Sequence, residues 1–425
     1  MLDIKFIREN PEIVKQGIKN KNEKDRIDEI LSLDEKRRKI ISEAEELKAK
    51  KNQVSAKIPQ MKKAGEDTTQ VFAEMKTVSD KISELDNQLK EIETDLNGIL
   101  MFIPNLPHSS VPIGKTPEEN IEVRKWQPEG FNFNKNEKIL DHIELGKKLN
   151  ILDFERGAKV SGSGFPVYVD KGATLERALI NFMLDYHLTN HNYKEVFPPF
   201  LVNKESMYGT GQLPKMEDDM YAIEKDGLYP VPTAEVPITN LHRDEMLSDK
   251  DLPIRYVGYS ACFRREAGSY GKESKGFLRV HQFNKVEMVK IVKPETSYDE
   301  LEKLVEDAED ILKALKIPYR IIMLCTGDLS FSAAKCYDIE TWSPAEQKWL
   351  EASSCSNFED FQARRASIRF KRDGQKKPEF VHTLNGSGLA TSRLMVSIME
   401  IYQTAEGTIK VPEVLQKYTG FSEIK

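Results

Sequence analysis

The chain has 425 residues, of which 39% are hydrophobic and 31% charged, with a formal net charge of −6 and a pI ≈ 5.9. This length exceeds one simple core and predicts two or three domains, and the negative balance excludes a global positive field, so any nucleic-acid contact must rest on local basic patches. No run of about 18 apolar residues offers a membrane span, the opening MLDIKFIRENPEIV lacks a signal peptide's apolar stretch, and Cys262, Cys325, Cys336 and Cys355 form no C-x-x-C pair, which predicts a cytoplasmic protein with reduced thiols and no zinc.

The first hundred residues follow a heptad rule. Leu33, Ile40, Leu47, Val54 and Met61 recur every seven residues, with Ile30, Ala44 and Ile58 interleaved and Arg37 and Lys51 interrupting the seam. After a break at KKAGEDTT, Val71, Val78, Leu85, Ile92 and Ile99 form one line and Met75, Ile82, Leu89 and Leu96 the other. Two heptad helices around a Gly-containing turn predict an antiparallel coiled-coil hairpin. Each helix, at about 35 residues, would run roughly 50 Å and project from the body. On its own such a hairpin reads as an oligomerisation element. Its basic residues (Arg37, Arg38, Lys48, Lys50, Lys51, Lys57, Lys62, Lys63) suit phosphate contacts or, interleaved with acids as they are, a solvated face.

FIPNLPHSSVPIGKTPEEN carries four prolines and reads as a linker. The segment 121–170 is mixed, and its VSGSGFPVYVD suggests a strand edge or turn. Beyond Gly172, residues Leu175, Leu179, Phe182, Met183 and Tyr186 keep helical spacing, and a short strand then ends at Pro198 and Pro199. In YPVPTAEVPITNLHRDEM, Thr233 and Glu235 flank Ala234 between prolines. A helix start capped by Thr233, with Glu235 near the positive end of the dipole, accounts for this locally.

Residues 262–288, CFRREAGSYGKESKGFLRVHQFNKVEM, carry the most chemistry. Arg264 and Glu266 close the apolar run YVGYSACF, a polar Gly/Ser/Lys loop follows, and Arg279, Phe283 and Glu287 return at near-alternating positions. Two strands joined by such a loop put alternate side chains on one face. Guanidinium groups for phosphate, a ring for a base and a carboxylate for an ammonium suit a nucleoside triphosphate beside an amino acid. An exposed hairpin with surface charges is the bland alternative.

Downstream, Leu301, Leu304, Val305, Ala308, Ile311, Leu312 and Leu315 make one amphipathic helix face and IPYRIIML a buried strand. QKWLEASS ends a strand with Glu351, Ser353 and Ser354, oxygen donors of the kind Mg²⁺ shares with a nucleotide. Residues 361–377 hold seven Arg or Lys against one Asp, which favours nucleic acid nearby. Asn385, Gly386, Ser387 and Gly388 read as a turn. Leu389, Leu394, Met395, Ile398 and Met399 then spell a helix, with Arg393 in its first turns, where positive charge opposes the dipole and calls for a partner such as phosphate.

FRREAGSYGKESKGFLRVHQFNKVEM resembles motif 2 of the class II aminoacyl-tRNA synthetases, in the wording of the bacterial-type seryl-tRNA synthetases. The helix–strand–proline unit around Gly172–Pro199 is similar to motif 1, the dimer-interface element, and GLATSR to motif 3, whose arginine packs on ATP. The resemblance runs from the first helix to the penultimate segment. It implies an α+β fold: the class II antiparallel sheet flanked by helices, with an N-terminal antiparallel coiled-coil hairpin. Residues 1–103 would be a tRNA-binding domain whose arm reaches the long variable arm of the tRNA, 104–120 a linker, and 121–425 the catalytic domain.

By the same resemblance Arg264, Glu287 and Arg393 are the catalytic set. Thr233, Ala234, Glu235, Arg264, Glu287, Asn385 and Ser387 would surround serine. Arg264, Arg265, Glu266, Arg279, Val280, Phe283, Glu351, Ala352, Ser353, Ser354 and Arg393 would hold ATP, with Mg²⁺ on Glu351 and Ser354. The implied partners are ATP, L-serine, tRNA(Ser), by family also tRNA(Sec), and a second copy of the chain, with no membrane. Synthetases for threonine, proline or glycine share the three motifs but lack this hairpin, and their C-terminal anticodon domain has no room. A ligase that loads a carrier protein lacks the arm. A non-catalytic coiled-coil scaffold would not keep these arginines, Glu287 and Glu351.

Overall fold

The computed structural model describes residues 1–133, 139–267 and 275–425. The polar loop predicted between the two strands of motif 2 falls largely on 268–274, outside the described residues. The chain divides into two compact units, Met1–Lys19 with Glu23–Pro104, and Asn20–Asn22 with Asn105–Lys425.

In the first unit, two short helices (Ile4–Glu9, capped by the Asp3 carboxylate, and Pro11–Asn20) precede α1 (Ile27–Lys63) and α2 (Thr69–Leu100). The hairpin buries Ile30, Ala44, Ile82, Leu85 and Leu96, while Leu33, Ile40, Leu47, Leu89 and Ile92 stay half-buried, because one partner helix covers only part of a seam. The interruption at Arg37 is met across the hairpin by Glu93 at 3.0 Å, and Lys48 meets Asp86 at 2.9 Å. Asp34 is buried between Arg8 (2.9 Å) and Arg38 (3.1 Å). These pairings engage three of the cations expected to be available for phosphate: Arg37, Arg38 and Lys48.

The second unit is built on an eight-stranded sheet. Its strands are β1 (Ile121–Trp126), β2 (Lys194–Glu195), β3 (Ile254–Phe263), β4 (Gln282–Val292), β5 (Tyr319–Met323), β6 (Lys335–Ser343), β7 (Lys348–Asn357) and β8 (His382–Ala390). In space they run β1-β5-β6-β7-β8-β4-β3-β2, antiparallel throughout except for the edge pair β2–β3. Helices α3 (Lys171–Asn190), α4 (Glu235–Asn240), α5 (Ser297–Ala314), α6 (Phe361–Arg365) and α7 (Thr391–Ile401) complete the frame. Leu175, Leu179 and Met183 of α3, Leu301, Leu304 and Leu312 of α5, and Leu394, Ile398 and Met399 of α7 pack with Val286, Met288, Ile339 and Leu384 of the sheet. Period-2 alternation sends the neighbours Lys285, Glu287, Asp338 and Asn385 to the opposite face, which is a cleft.

Two local expectations are corrected. Asn385–Gly388 is no turn but the middle of β8. Its glycines serve close packing, since a Cβ on Gly386 would stand 2.7 Å from Cys355 Sγ and one on Gly388 2.7 Å from His187 Nε2. The β7 strand does not end at Ser354 but continues to Asn357. Within 104–120, Asn105 donates from its backbone to Phe331 O (3.0 Å) and from Nδ2 to Ser332 O (3.0 Å) and Phe358 O (2.8 Å). No described helix is long and apolar enough to cross a membrane.

Candidate active site

The cleft has a volume of ≈ 1070 Å³, and strands β1, β4, β5, β6, β7 and β8 contribute to its lining. In the β3–β4 register, Cys262, Ser260 and Gly258 face Phe283, Lys285 and Glu287, so the aromatic ring, the ammonium and the carboxylate form one row. Arg264, just past β3, lays its guanidinium 5.2 Å from the Phe283 ring centroid and donates from Nε to Pro232 O at 3.3 Å. Arg279 Nε stands 3.6 Å from Glu266 Oε2, and Glu266 is held in the left-handed region at φ 52. Arg393, the third residue of α7, donates from Nη1 to Glu351 O at 2.8 Å, with Glu351 Oε2 at 3.3 Å. The charge that opposes the helix dipole is thus met by Glu351 in the free protein.

A second row lies at the deep end. Glu287 is 1% exposed, and its Oε2 accepts from Thr233 Oγ1 at 2.8 Å with Lys285 Nζ at 2.5 Å. Thr233 Oγ1 also accepts from Glu235 N at 3.1 Å, but the N-cap position is Ala234, so Thr233 braces the start of α4 from one residue earlier than the capping reading expects. Glu235 Oε1 accepts from Gln362 Nε2 at 2.6 Å. Burial first, then repulsion from Glu287, pushes the Glu235 carboxyl up to about 7. Ser387 stands opposite Glu287 across β8–β4, and Asn385 two residues earlier shares its face. The buried Asn385 Nδ2 lines this end of the cleft with no hydrogen-bond partner among the described residues, an arrangement suited to a ligand acceptor.

At the other end, Ser354 Oγ lies 2.6 Å from Asp338 Oδ1 and 3.3 Å from Glu351 Oε1. Ser353 Oγ donates to Ser387 O at 2.8 Å. Burial, then the nearby Glu351, drives the Asp338 carboxyl well above its ordinary value. Two crowded carboxyls and a hydroxyl make an all-oxygen donor set with an excess of negative charge, which fits Mg²⁺. Among the described residues, no cluster of three His, Cys, Asp or Glu has metal-holding geometry by itself, so substrate oxygens would have to complete the shell.

The cleft therefore gathers Thr233, Glu235, Arg264, Glu266, Arg279, Val280, Phe283, Glu287, Glu351, Ala352, Ser353, Ser354, Asn385, Ser387 and Arg393. Two expected site residues lie outside its lining. Arg265 has an exposed side chain and donates its backbone N–H to Asp219 O, and Ala234 is buried at the head of α4. Sequence reasoning missed Lys285, Asp338 and Gln362. Lys285 carried a signal, its place between Phe283 and Glu287 in an alternating strand. Gln362 carried none, since its partner Glu235 is 127 residues away.

Three of the seven cations in the most basic window are engaged by the fold. Arg364 pairs with Asp360 (2.7 Å), and the half-buried Arg365 lies over the Phe331 and Phe361 rings, donating to Tyr208 O and Leu213 O. Arg372 pairs with Glu295 and Glu379, both at 2.7 Å. Arg369 and Lys371, on a short strand of this window, are exposed.

Known proteins match along the whole chain. Residues 1–107 fit the family model of the seryl-tRNA synthetase N-terminal domain, and residues 218–402 that of the class II tRNA synthetase core domain (G, H, P, S and T). The serine–tRNA ligase of Chloroherpeton thalassium is 62% identical over 99% of both chains, and that of Chlorobium phaeobacteroides 59% identical over 100% of both. A crystal structure of the Pyrococcus horikoshii seryl-tRNA synthetase complexed with ATP superposes with a TM-score of 0.93 at 40% identity, covering 100% of this chain and 99% of the other. A Giardia lamblia prolyl-tRNA synthetase shares the fold at 16% identity and a TM-score of 0.56 over 64% of this chain. With seryl relatives matched end to end and the prolyl enzyme matched only in fold, the chain belongs to the serine–tRNA ligases, within the class II aminoacyl-tRNA synthetases.

Proposed function

We propose that the cleft holds ATP and serine side by side, with the deep row of Thr233, Lys285, Glu287, Asn385 and Ser387 taking the amino acid and the outer row of Arg264, Arg279, Phe283, Glu351 and Arg393 taking the nucleotide. The enzyme joins serine to tRNA through an adenylate, and the nucleophile in the first step is the serine carboxylate. It is already ionised, so no general base is required. The site must hold two anions together and stabilise the charge that builds on the α-phosphate. Arg264 spans carboxylate and α-phosphate, Arg279 and Arg393 neutralise the outer phosphates, and adenine lies between Phe283 and Arg393 with Glu266 and Val280 beside it. Occupation of Arg393 by phosphate frees Glu351 from its present ion pair. Glu351 and Ser354, with Asp338 behind them, would hold Mg²⁺, which supplies charge neutralisation between phosphates when bound.

The serine ammonium meets Thr233 and Glu287, and the hydroxyl meets Glu287 and Ser387. A pocket built for a hydroxyl rejects alanine by ~10⁴ when its polar groups are left unpaired. Gln362 keeps Glu235 oriented against this pocket. The observation that carries the reading is the buried Thr233–Glu287–Lys285 set, a pre-formed acceptor for one ammonium and one hydroxyl, next to the Arg264–Phe283 stack.

The domain reading keeps 1–103 as the tRNA-binding domain, 104–120 as the connecting segment and 121–425 as the catalytic domain. The arm would meet tRNA(Ser), and tRNA(Sec) where the host makes one. A homodimer through Gly172–Pro199 is supported by the exposed Phe197 of this unit, next to Phe200 and Tyr259. A cytoplasmic location accords with four free cysteines. The direct test is a crystal structure with a non-hydrolysable seryl-adenylate analogue. The ammonium should lie within hydrogen-bond distance of Thr233 Oγ1 and the Glu287 carboxylate, with adenine on Phe283. An analogue seated elsewhere in the cleft would overturn these assignments.

A further inference from the structure

His142, Glu400 and Gly276 take no part in the assignments above, yet they meet beside the backbone that leads into Leu278, Arg279 and Val280 of the cleft. His142 is 1% exposed and opens the helix His142–Lys148, whose first turn is fixed by the Asp141 carboxylate. Its Nε2 accepts from the backbone N–H of Phe277 at 3.1 Å. A backbone N–H can only donate, so the ring proton sits on Nδ1, which faces Glu400 Oε1 at 3.3 Å. Glu400 is itself fully engaged. Its Oε1 also accepts from His142 N (3.2 Å), and its Oε2 accepts from Ser343 Oγ (2.6 Å) and Ala345 N (3.2 Å).

The contact is shaped as well as bonded. Gly276 sits at φ +59 against the imidazole, where an added Cβ would stand 2.2 Å from His142 Nε2 and 2.7 Å from Ile143 Cγ1. Phe277 is fully buried, with ring centroids of Tyr168, Phe154 and His142 at 5.2, 5.5 and 5.8 Å. The next residues, Leu278, Arg279 and Val280, line the cleft. Glu400 follows Arg393 by seven residues on α7, two turns along the same side of the helix. One buried histidine thus links the backbone just before Arg279 to the helix that carries Arg393.

We propose that His142 is a positioning residue for the nucleotide: by tying Phe277 to Glu400 it sets the separation of Arg279 and Arg393, and so the span available to a triphosphate. This rests on the assignment of that end of the cleft to ATP. Two substitutions separate the two bonds of the ring. In His142→Asn the amide nitrogen occupies the place of Nδ1 and keeps Glu400 but reaches no further. In His142→Gln the amide oxygen occupies the place of Nε2 and accepts from Phe277. In serine-dependent ATP–pyrophosphate exchange, His142→Asn should raise KM for ATP about tenfold, the loss of roughly one hydrogen bond of positioning, with KM for serine within about twofold. His142→Gln, which keeps Phe277 but gives up Glu400, breaks the same tie and should raise KM for ATP by a similar factor. KM for ATP within about threefold of the unsubstituted value in either variant, or KM for serine rising in step with KM for ATP, would overturn the proposal.

Hydrogen exchange on the unsubstituted enzyme gives a reading that needs no variant. The Phe277 amide should be protected like the amides of β4, and exchange at the open rate of Lys275 would mean the tie is absent. Failure of the unsubstituted enzyme to bind ATP at all would instead remove the nucleotide assignment, and the amide measurement distinguishes that case.

Discussion

Glu287 is the residue on which the amino-acid pocket turns, and Glu287→Ala is the sharpest perturbation. The carboxylate is 1% exposed, holds the Lys285 ammonium at 2.5 Å and accepts from Thr233 at 2.8 Å. Its removal leaves a lysine that is 7% exposed without its counter-charge. Breaking a buried pair in this way costs about 3–5 kcal/mol of stability. The kinetic loss is separate. Each charge-assisted hydrogen bond to serine contributes about 1.5–3 kcal/mol, and Glu287 makes two, to the ammonium and to the hydroxyl. The expected fall in kcat/KM for serine is therefore ~10²–10⁴. KM for ATP should stay within about threefold, because the nucleotide row does not use this side chain.

The assay is pyrophosphate exchange with serine and ATP varied independently, on protein whose melting shows a folded state at the assay temperature. A second variant separates folding from chemistry. In Lys285→Met with Glu287→Met the pair is removed together, so much of the lost stability should return while serine activation should not. A Glu287→Ala enzyme within threefold of the unsubstituted kcat/KM for serine would remove Glu287 from the pocket.

Three further outcomes are expected. Deletion of residues 30–97 with closure of the gap should spare serine activation and cripple tRNA charging; undiminished charging would remove the arm from recognition. Glu351→Gln should raise the Mg²⁺ concentration needed for half-maximal exchange several-fold while KM for serine holds, and an unchanged Mg²⁺ dependence would take Glu351 out of the metal set. Glu176 is buried on α3, and burial pushes its carboxyl from 4.5 up to about 7. A raised carboxyl contributes stability that is complete below pH 4.5 and lost as pH rises through 7, so Glu176→Gln, which can still accept from Thr391 and Asn284, should match the unsubstituted protein near pH 4.5 and exceed it by at most about 3 kcal/mol at pH 8 in chemical unfolding. Parallel stability curves across that range would show that Glu176 ionises freely in the fold.

The parts of this structure that were legible in the sequence are those where period carries the information. Heptads marked α1 and α2, and alternation in FLRVHQFNKVEM put Phe283 and Glu287 on one row. Lys285 stood on that row too, but a lysine between Asn284 and Val286 looks the same whether it faces solvent or a buried carboxylate. Asn-Gly-Ser-Gly has turn composition, and what makes it strand is the tight approach of Cys355 and His187 from elsewhere in the chain. In the basic window, one partner of Arg372, Glu295, lies 77 residues away, so that pairing has no mark in the local sequence. Gln362 on Glu235, and His142 between Phe277 and Glu400, are of the same kind. Their meaning is set by tertiary neighbours, and no local pattern announces them.

The central claim is that this chain activates serine in the cleft described, before any tRNA is present. ATP–pyrophosphate exchange with the purified protein, run separately with serine, threonine, alanine and proline, tests it most directly. Exchange with serine and little or none with the other three is the predicted result. Exchange led by another amino acid, or none from folded protein, would contradict it.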